Sequence, residues 1–236
     1  DWSSDVCSSD LASIGFMAGF SHADSLGWWQ GRLAAAAQGE VRSFLHPAKK
    51  APDGGPLAID VACFGDRKAP PQPLFVSGTH GQEGFSGSAV QIGWLKSGGA
   101  ARLPADLGVV LVHGLNPYGF AHFTRTTENN VDLNRNFHDF SKPLPDNTAY
   151  KEVQHLLLPD VWPPNEANMQ ATMQYIATHG MPKLQAAVSQ GQHHDPKGLF
   201  FGGQAPTWSN QTIRKVLKQH GGTAQKLAWI DLHTGL

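Results

Sequence analysis

Four short apolar runs, Leu57 to Phe64, Leu74 to Val76, Gly108 to Val112 and Lys226 to Leu232, are spaced along the chain, with stretches of helical periodicity between the second and third and between the third and fourth. No other feature limits the fold of this chain as strongly. Apolar runs of that length, rich in Val and Ile, are buried as strands rather than helices. Strands that alternate with helices build one sheet covered on both faces. The expected fold is therefore α/β, with three α/β/α layers and a mixed, largely parallel sheet. In such sheets ligands gather at the carboxyl ends of the strands, so that edge is where chemistry is to be sought.

The remaining pattern fills in the order of elements. A helix is predicted over 24–38, where Leu26, Trp29, Leu33 and Ala37 recur at helical spacing behind a capping Asp24. Val41 to Leu45 forms a further short strand, joined to the next by the turn residues PDGG at 52–55. A helix follows the third strand from about Ser86 to Lys96. Asn116-Pro117 marks a turn, and a long polar loop comes after it. Three helical segments bounded by Pro or Gly lie between Asp146 and Gln190, then a loop over 191–206, then a helix from about Trp208 to His220. The last strand delivers His233 at its carboxyl end.

The stretch THGQEG, residues 79–84, follows the strand at Leu74 to Val76 and sets His80 and Glu83 three residues apart. Both are costly to bury unless something satisfies them, and a metal ion satisfies both. Taken alone His-x-x-Glu is a weak signal. A catalytic zinc takes three protein ligands and leaves one position for water, and His233 is the natural third. Each residue also has an ordinary reading: His233 as a polar residue ending a strand, Glu83 as an acid at a helix N-terminus.

A third motif makes the pattern specific. HxxE after a strand, then VDLNRNF at 131–137, then a late strand ending in DLHT, resembles the zinc carboxypeptidase superfamily. Within it the chain is most similar to an uncharacterised bacterial carboxypeptidase-like branch, with succinylglutamate desuccinylase and aspartoacylase as more distant relatives. HGQEGFSGS, TENNVDLNRNF, GLFFGGQAPTWSN and DLHTGL carry the resemblance over about residues 20–236.

That resemblance implies Zn2+ held by His80, Glu83 and His233. Asp132 would orient a ligand imidazole from behind, although a turn-forming Asp is an equal reading. Asn134 and Arg135 would bind a substrate carboxylate, since a guanidinium fork matches two carboxylate oxygens; a salt bridge is the plain alternative for Arg135. Arg125 would stabilise the oxyanion that develops at the scissile carbonyl. The implied activity is carboxypeptidase-like hydrolysis of an amide next to a free carboxylate, on a small peptide. An N-acyl amino acid deacylase and a zinc-binding domain without hydrolytic activity are the alternatives. In the resembled enzymes the general base is a Glu on a strand after the third ligand, and no residue here matches it. Glu128, Glu152 and Glu166 are acidic candidates by type only, and the last two sit in helical patterns.

Composition narrows the classes. Residues 1–11, DWSSDVCSSDL, match the conceptual translation of a sequencing adapter, so the expected protein is a single catalytic domain over 12–236, incomplete at its C-terminal side. With Cys7 set aside only Cys63 remains, which argues against disulfides and thiolate zinc and for a reducing compartment. No apolar run reaches membrane-spanning length and no leader pattern is present, so a cytoplasmic protein with no membrane partner is expected. Eighteen basic and nineteen acidic side chains leave no stripe to track phosphates, and nucleic acid is not an expected partner. His193-His194-Asp195 offers a second metal motif, but adjacent His side chains on a loop rarely converge on one ion. Asn210-Gln211-Thr212 reads as helix-start chemistry. Trp28, Trp29, Trp94 and Trp229 read as core.

Overall fold

A computed structural model describes residues 39–66, 71–221 and 226–234 of the chain. The helix expected over 24–38 lies outside those residues. The chain forms two compact units, Asp1–Glu128 with Trp208–Leu236, and Asn129–Thr207.

The first unit is built on a five-stranded sheet of order β1-β2-β4-β3-β5. Its strands are β1 (Glu40–Lys50), β2 (Pro56–Gly65), β3 (Pro71–Ser77), β4 (Gly108–His113) and β5 (Lys226–Leu232). β1 with β2 and β2 with β4 pair antiparallel, β3 with β4 and β3 with β5 parallel. The mixed sheet read from the sequence is therefore present, and the PDGG segment closes the β1–β2 hairpin, with Gly54 N donating to Ala51 O at 2.9 Å.

Strand residues alternate between faces. Ala62, Phe64, Val109 and Leu111 point to one face, where Ile92 of α1 (Gly84–Lys96) joins their cluster. Cys63 points to the other, where its Sγ lies 3.5 Å from Nδ1 of His220 on α6 (Trp208–Gly221). Helices on both faces bury both sides of β2 and β4, which is why these strands read as nearly continuous apolar runs rather than alternating ones. Leu57, Ile59, Leu74 and Val112 are fully buried; truncating one such Leu to Ala costs about 2–5 kcal/mol.

Asn116-Pro117, expected as a turn, opens α2 (Pro117–His122) instead. Asn116 accepts from Gly119 N at 2.9 Å, and Pro suits the first helical position because its missing N–H is one the helix cannot use. Trp94 packs edge-on against Phe64 as core, whereas Trp229 on edge strand β5 is 40% exposed, contrary to its reading as core.

The second unit holds a 3-10 turn at Leu133–Arg135 and three helices, α3 (Thr148–Leu157), α4 (Glu166–His179) and α5 (Met181–Ser189). Val153, Leu156, Leu184 and Ala187 form its apolar cluster between α3 and α5. α4 buries no residue fully. Among the described residues no helix is long and apolar enough to cross a membrane.

Candidate metal centre

The loop after β3 is shaped by two glycines. Gly78 has φ +74°, a left-handed conformation that glycine adopts without steric cost. A Cβ on Gly81 would lie 1.9 Å from the carbonyl carbon of Gly119, so the loop can rest on α2 only with glycine there. Gly81 N donates to Arg125 O at 3.3 Å, and Asn116 Nδ2 donates to the same carbonyl at 3.2 Å. This framework buries His80, 1% exposed, and brings Glu83 to the start of α1.

β5 lies beside β3 in parallel, with Val76 opposite Asp231 and Ser77 opposite Leu232. His233, one residue beyond β5, therefore arrives next to the glycine loop. His80 Nδ1 is 2.8 Å from Glu83 Oε1, His233 Nε2 is 3.9 Å from Glu83 Oε2, and the two imidazoles stand edge to face at 4.8 Å. One ligand atom from each of the three residues lies within 4.8 Å of the others. Two imidazoles and one carboxylate, converging on one point, are a donor set suited to zinc.

Burial pushes the Glu83 carboxyl up. The hydrogen bond from Thr234 and the charge and hydrogen bond of His80 outweigh it and hold the group below its ordinary value. Thr234 N donates to Oε2 at 2.8 Å. Arg125 Nη1 donates to Oε1 at 3.3 Å. Glu83 is thus an anion in neutral solution, faced by two donors and by the His80 imidazole.

Two further residues belong to this cluster and were not singled out from sequence. Asp231 Oδ2 lies 3.0 Å from His233 Nδ1, and Thr79 Oγ1 is 3.0 Å from each oxygen of Asp231. The sequence signal for Asp231 is DLH, since residues two apart at a strand end share a face.

Asp132, Asn134 and Arg135 come together in the second unit. Asp132 is buried and caps the 3-10 turn, accepting from Asn134 N at 3.0 Å. Asn134 is exposed. Arg135 donates through Nε and Nη2 to Ser189 O, at 3.0 and 2.6 Å, and lies 5.9 Å from the Phe200 ring. Both bonds use one edge of the guanidinium, so its Nη1 edge is not held by Ser189.

The other motifs have structural partners. His193 Nδ1 is 2.6 Å from Gly203 O, while His194 Nε2 is 3.1 Å from Gln154 Oε1; the neighbouring rings diverge, and Asp195 bonds Gln154 and the backbone of Lys197. Glu128 lies 3.4 Å from His46 Nε2. Glu152 and Glu166 are exposed on α3 and α4. Asn210 is buried and accepts from Arg214 Nε at 2.8 Å. A cavity of about 170 Å³ beside Cys63 and His220 is lined also by Glu40, Arg42, Val61 and Gln219, and shares no residue with the metal centre.

Residues 31–236 match the family described as Protein of unknown function (DUF2817). Among solved structures, bovine thrombin-activatable fibrinolysis inhibitor in complex with tick carboxypeptidase inhibitor is similar with a TM-score of 0.51 and 13% identity, over 91% of this chain and 60% of that one. A succinylglutamate desuccinylase/aspartoacylase family protein from Shewanella amazonensis follows at TM-score 0.42 and 21% identity, over 83% and 47%. A metallo-carboxypeptidase from Burkholderia cenocepacia stands at TM-score 0.35 and 15% identity, over 88% and 59%. No curated protein matches the chain by sequence. The first of these likenesses is one of fold, and the chain spans roughly half to three fifths of the length of these three structures.

Proposed function

The chain belongs to the family described as Protein of unknown function (DUF2817), and from that premise and its metal centre we propose a zinc-dependent amide hydrolase of carboxypeptidase type. Its substrate would be a small peptide with a free carboxylate. The observation that carries the reading is the convergence of His80, Glu83 and His233 within 4.8 Å, with Arg125 bonded to the Glu83 carboxylate.

Bound there, zinc supplies an activated water and polarises the scissile carbonyl. The chain's own residues have separate tasks. His80, Glu83 and His233 hold the ion, and the bonds from Thr234 and His80 keep Glu83 ionised and ready to do so. Arg125, 36% exposed at its side chain, offers a cation beside the ligand set for the negative charge that grows on the attacked carbonyl oxygen. Asn134 and Arg135, in the second unit, are the residues we assign to a substrate carboxylate; the Nη1 edge of Arg135 is not held by Ser189. Glu128 is engaged by His46 and is not assigned as the general base.

Zinc content and a substrate panel test this. About one zinc per chain, lost on His80→Ala, is expected, together with hydrolysis of blocked dipeptides in preference to N-acetyl and N-succinyl amino acids. Preference for the acyl amino acids would reassign the protein as a deacylase. Zinc bound with no turnover of either class by the full-length protein would leave a binding domain, and no zinc at all would remove the hydrolase reading.

A further inference from the structure

The ligand set leaves one question of chemistry, which is how the imidazole on the exposed side of the site is held. His80 is buried in the glycine loop, but His233 follows the last residue of an edge strand and is only partly covered. An imidazole in that position can rotate, flip, and exchange the proton between its two nitrogens. Each of these motions removes the lone pair from the ion.

We infer that Asp231 is the positioning residue for His233, with Thr79 as its support, so that Thr79, Asp231 and His233 form one relay behind the metal centre. The inference rests on the metal reading given above. A carboxylate can only accept, so Asp231 Oδ2 at 3.0 Å from Nδ1 fixes the proton on Nδ1 and leaves Nε2, the nitrogen nearer Glu83, as the donor atom. The partner of a metal-bound imidazole commonly fixes tautomer and ring orientation in this way.

The carboxylate is held in turn. Thr79 Oγ1 sits 3.0 Å from both Asp231 oxygens, and its residue is buried. Thr79 immediately precedes His80, so one side chain of the glycine loop ties the strand that carries the third ligand to the loop that carries the first two. Parallel pairing of Val76 with Asp231 sets the backbone distance at which this bond closes. Both links join β3 and its loop to β5, which makes the relay a clamp on the separation of the ligands as well as on the ring.

Zinc affinity, measured by competition with a chromophoric chelator, and the tautomer of His233, read from long-range 1H–15N spectra of the metal-free protein, test the relay. In the wild type His233 is expected as the Nδ1–H form. Asp231→Ala is expected to lose that preference and to weaken zinc binding about 10- to 100-fold. Asp231→Asn, whose amide oxygen can still accept, recovers most of it. Thr79→Val, which leaves Asp231 in place, gives a smaller loss of affinity in the same direction. A Co2+-substituted Asp231→Ala protein is expected to show altered d–d bands, which a change in fold stability alone does not produce. Wild-type affinity and an unchanged tautomer in Asp231→Ala would overturn the inference while leaving the metal reading intact. Failure of the wild type to bind zinc overturns both.

Discussion

Arg125 donates to Oε1 of Glu83 at 3.3 Å, the same oxygen that faces His80 Nδ1 at 2.8 Å. One carboxylate therefore faces the cation and the first imidazole on one oxygen, and Thr234 N and His233 on the other. Arg125 is not in the donor set, so its removal separates catalysis from metal binding. Arg125→Ala is expected to lower kcat by about 100-fold, the usual cost of one donor to a developing oxyanion. Its zinc affinity is expected to fall by less than kcat does, since Arg125 bonds Glu83 Oε1 at 3.3 Å without entering the donor set. Steady-state kinetics and chelator competition on one preparation check both.

Zinc that binds only the folded chain stabilises it by about 2.7 kcal/mol at one hundred times its dissociation constant. Urea unfolding with and without zinc should show that increment in the wild type and none in Glu83→Ala, because Glu83 faces both imidazoles of the set.

Gly81→Ala puts a methyl group where the carbonyl carbon of Gly119 lies 1.9 Å away. Backbone cannot rotate aside, so the loop must lift from α2. We expect about 1–3 kcal/mol of lost stability and weaker zinc binding, since the displaced segment carries His80 and Glu83. Retained affinity in a folded variant would count against the loop as the source of the geometry.

Much of this was legible in the sequence because it is encoded locally. His80 and Glu83 are three residues apart in one loop, and the runs around Leu57, Leu74 and Val109 have the length and composition of buried strands. Other features depend on pairing across long separations. Asp231 gains its meaning only when β5 lies beside β3 and Thr79 reaches it. Likewise the place of Glu128 depends on His46 of β1, which lies 3.4 Å from it across 82 positions of chain. Asn116-Pro117 carried both turn and helix-start chemistry, and the bond from Gly119 N decides for the helix.

Tyr150 offers a test inside the second unit. Its side chain is fully buried, and its hydroxyl accepts from Leu199 N at 2.7 Å. Tyr150→Phe leaves that N–H without its acceptor, at a cost of about 1–3 kcal/mol. Denaturant unfolding gives the loss, and faster amide exchange at Leu199 locates it.

His138 predicts a pH dependence. Burial, and then the charge of His193 at a ring separation of 4.8 Å, hold its pKa below 6.5. The folded state thus takes up its proton less readily than the unfolded chain. Its contribution to stability is complete above about pH 6.5 and is lost as pH falls through the lowered folded value. His138→Asn should flatten the stability profile across that interval, measured as urea midpoints at a series of pH values.

The pairing of β3 with β5 also sets an order of events. Glu83 and Thr234 are 151 positions apart, and the chain builds the whole second unit between them. Closing so long a loop comes late when folding is limited by distant contacts, and the three ligands cannot meet before it closes. Zinc is then expected to do little for the rate at which the chain folds and to slow its unfolding, which stopped-flow refolding and unfolding with and without the metal would show. An ion held by His80, Glu83 and His233 would then act as a latch on the pairing of β3 with β5, and its uptake would report that β5 has docked.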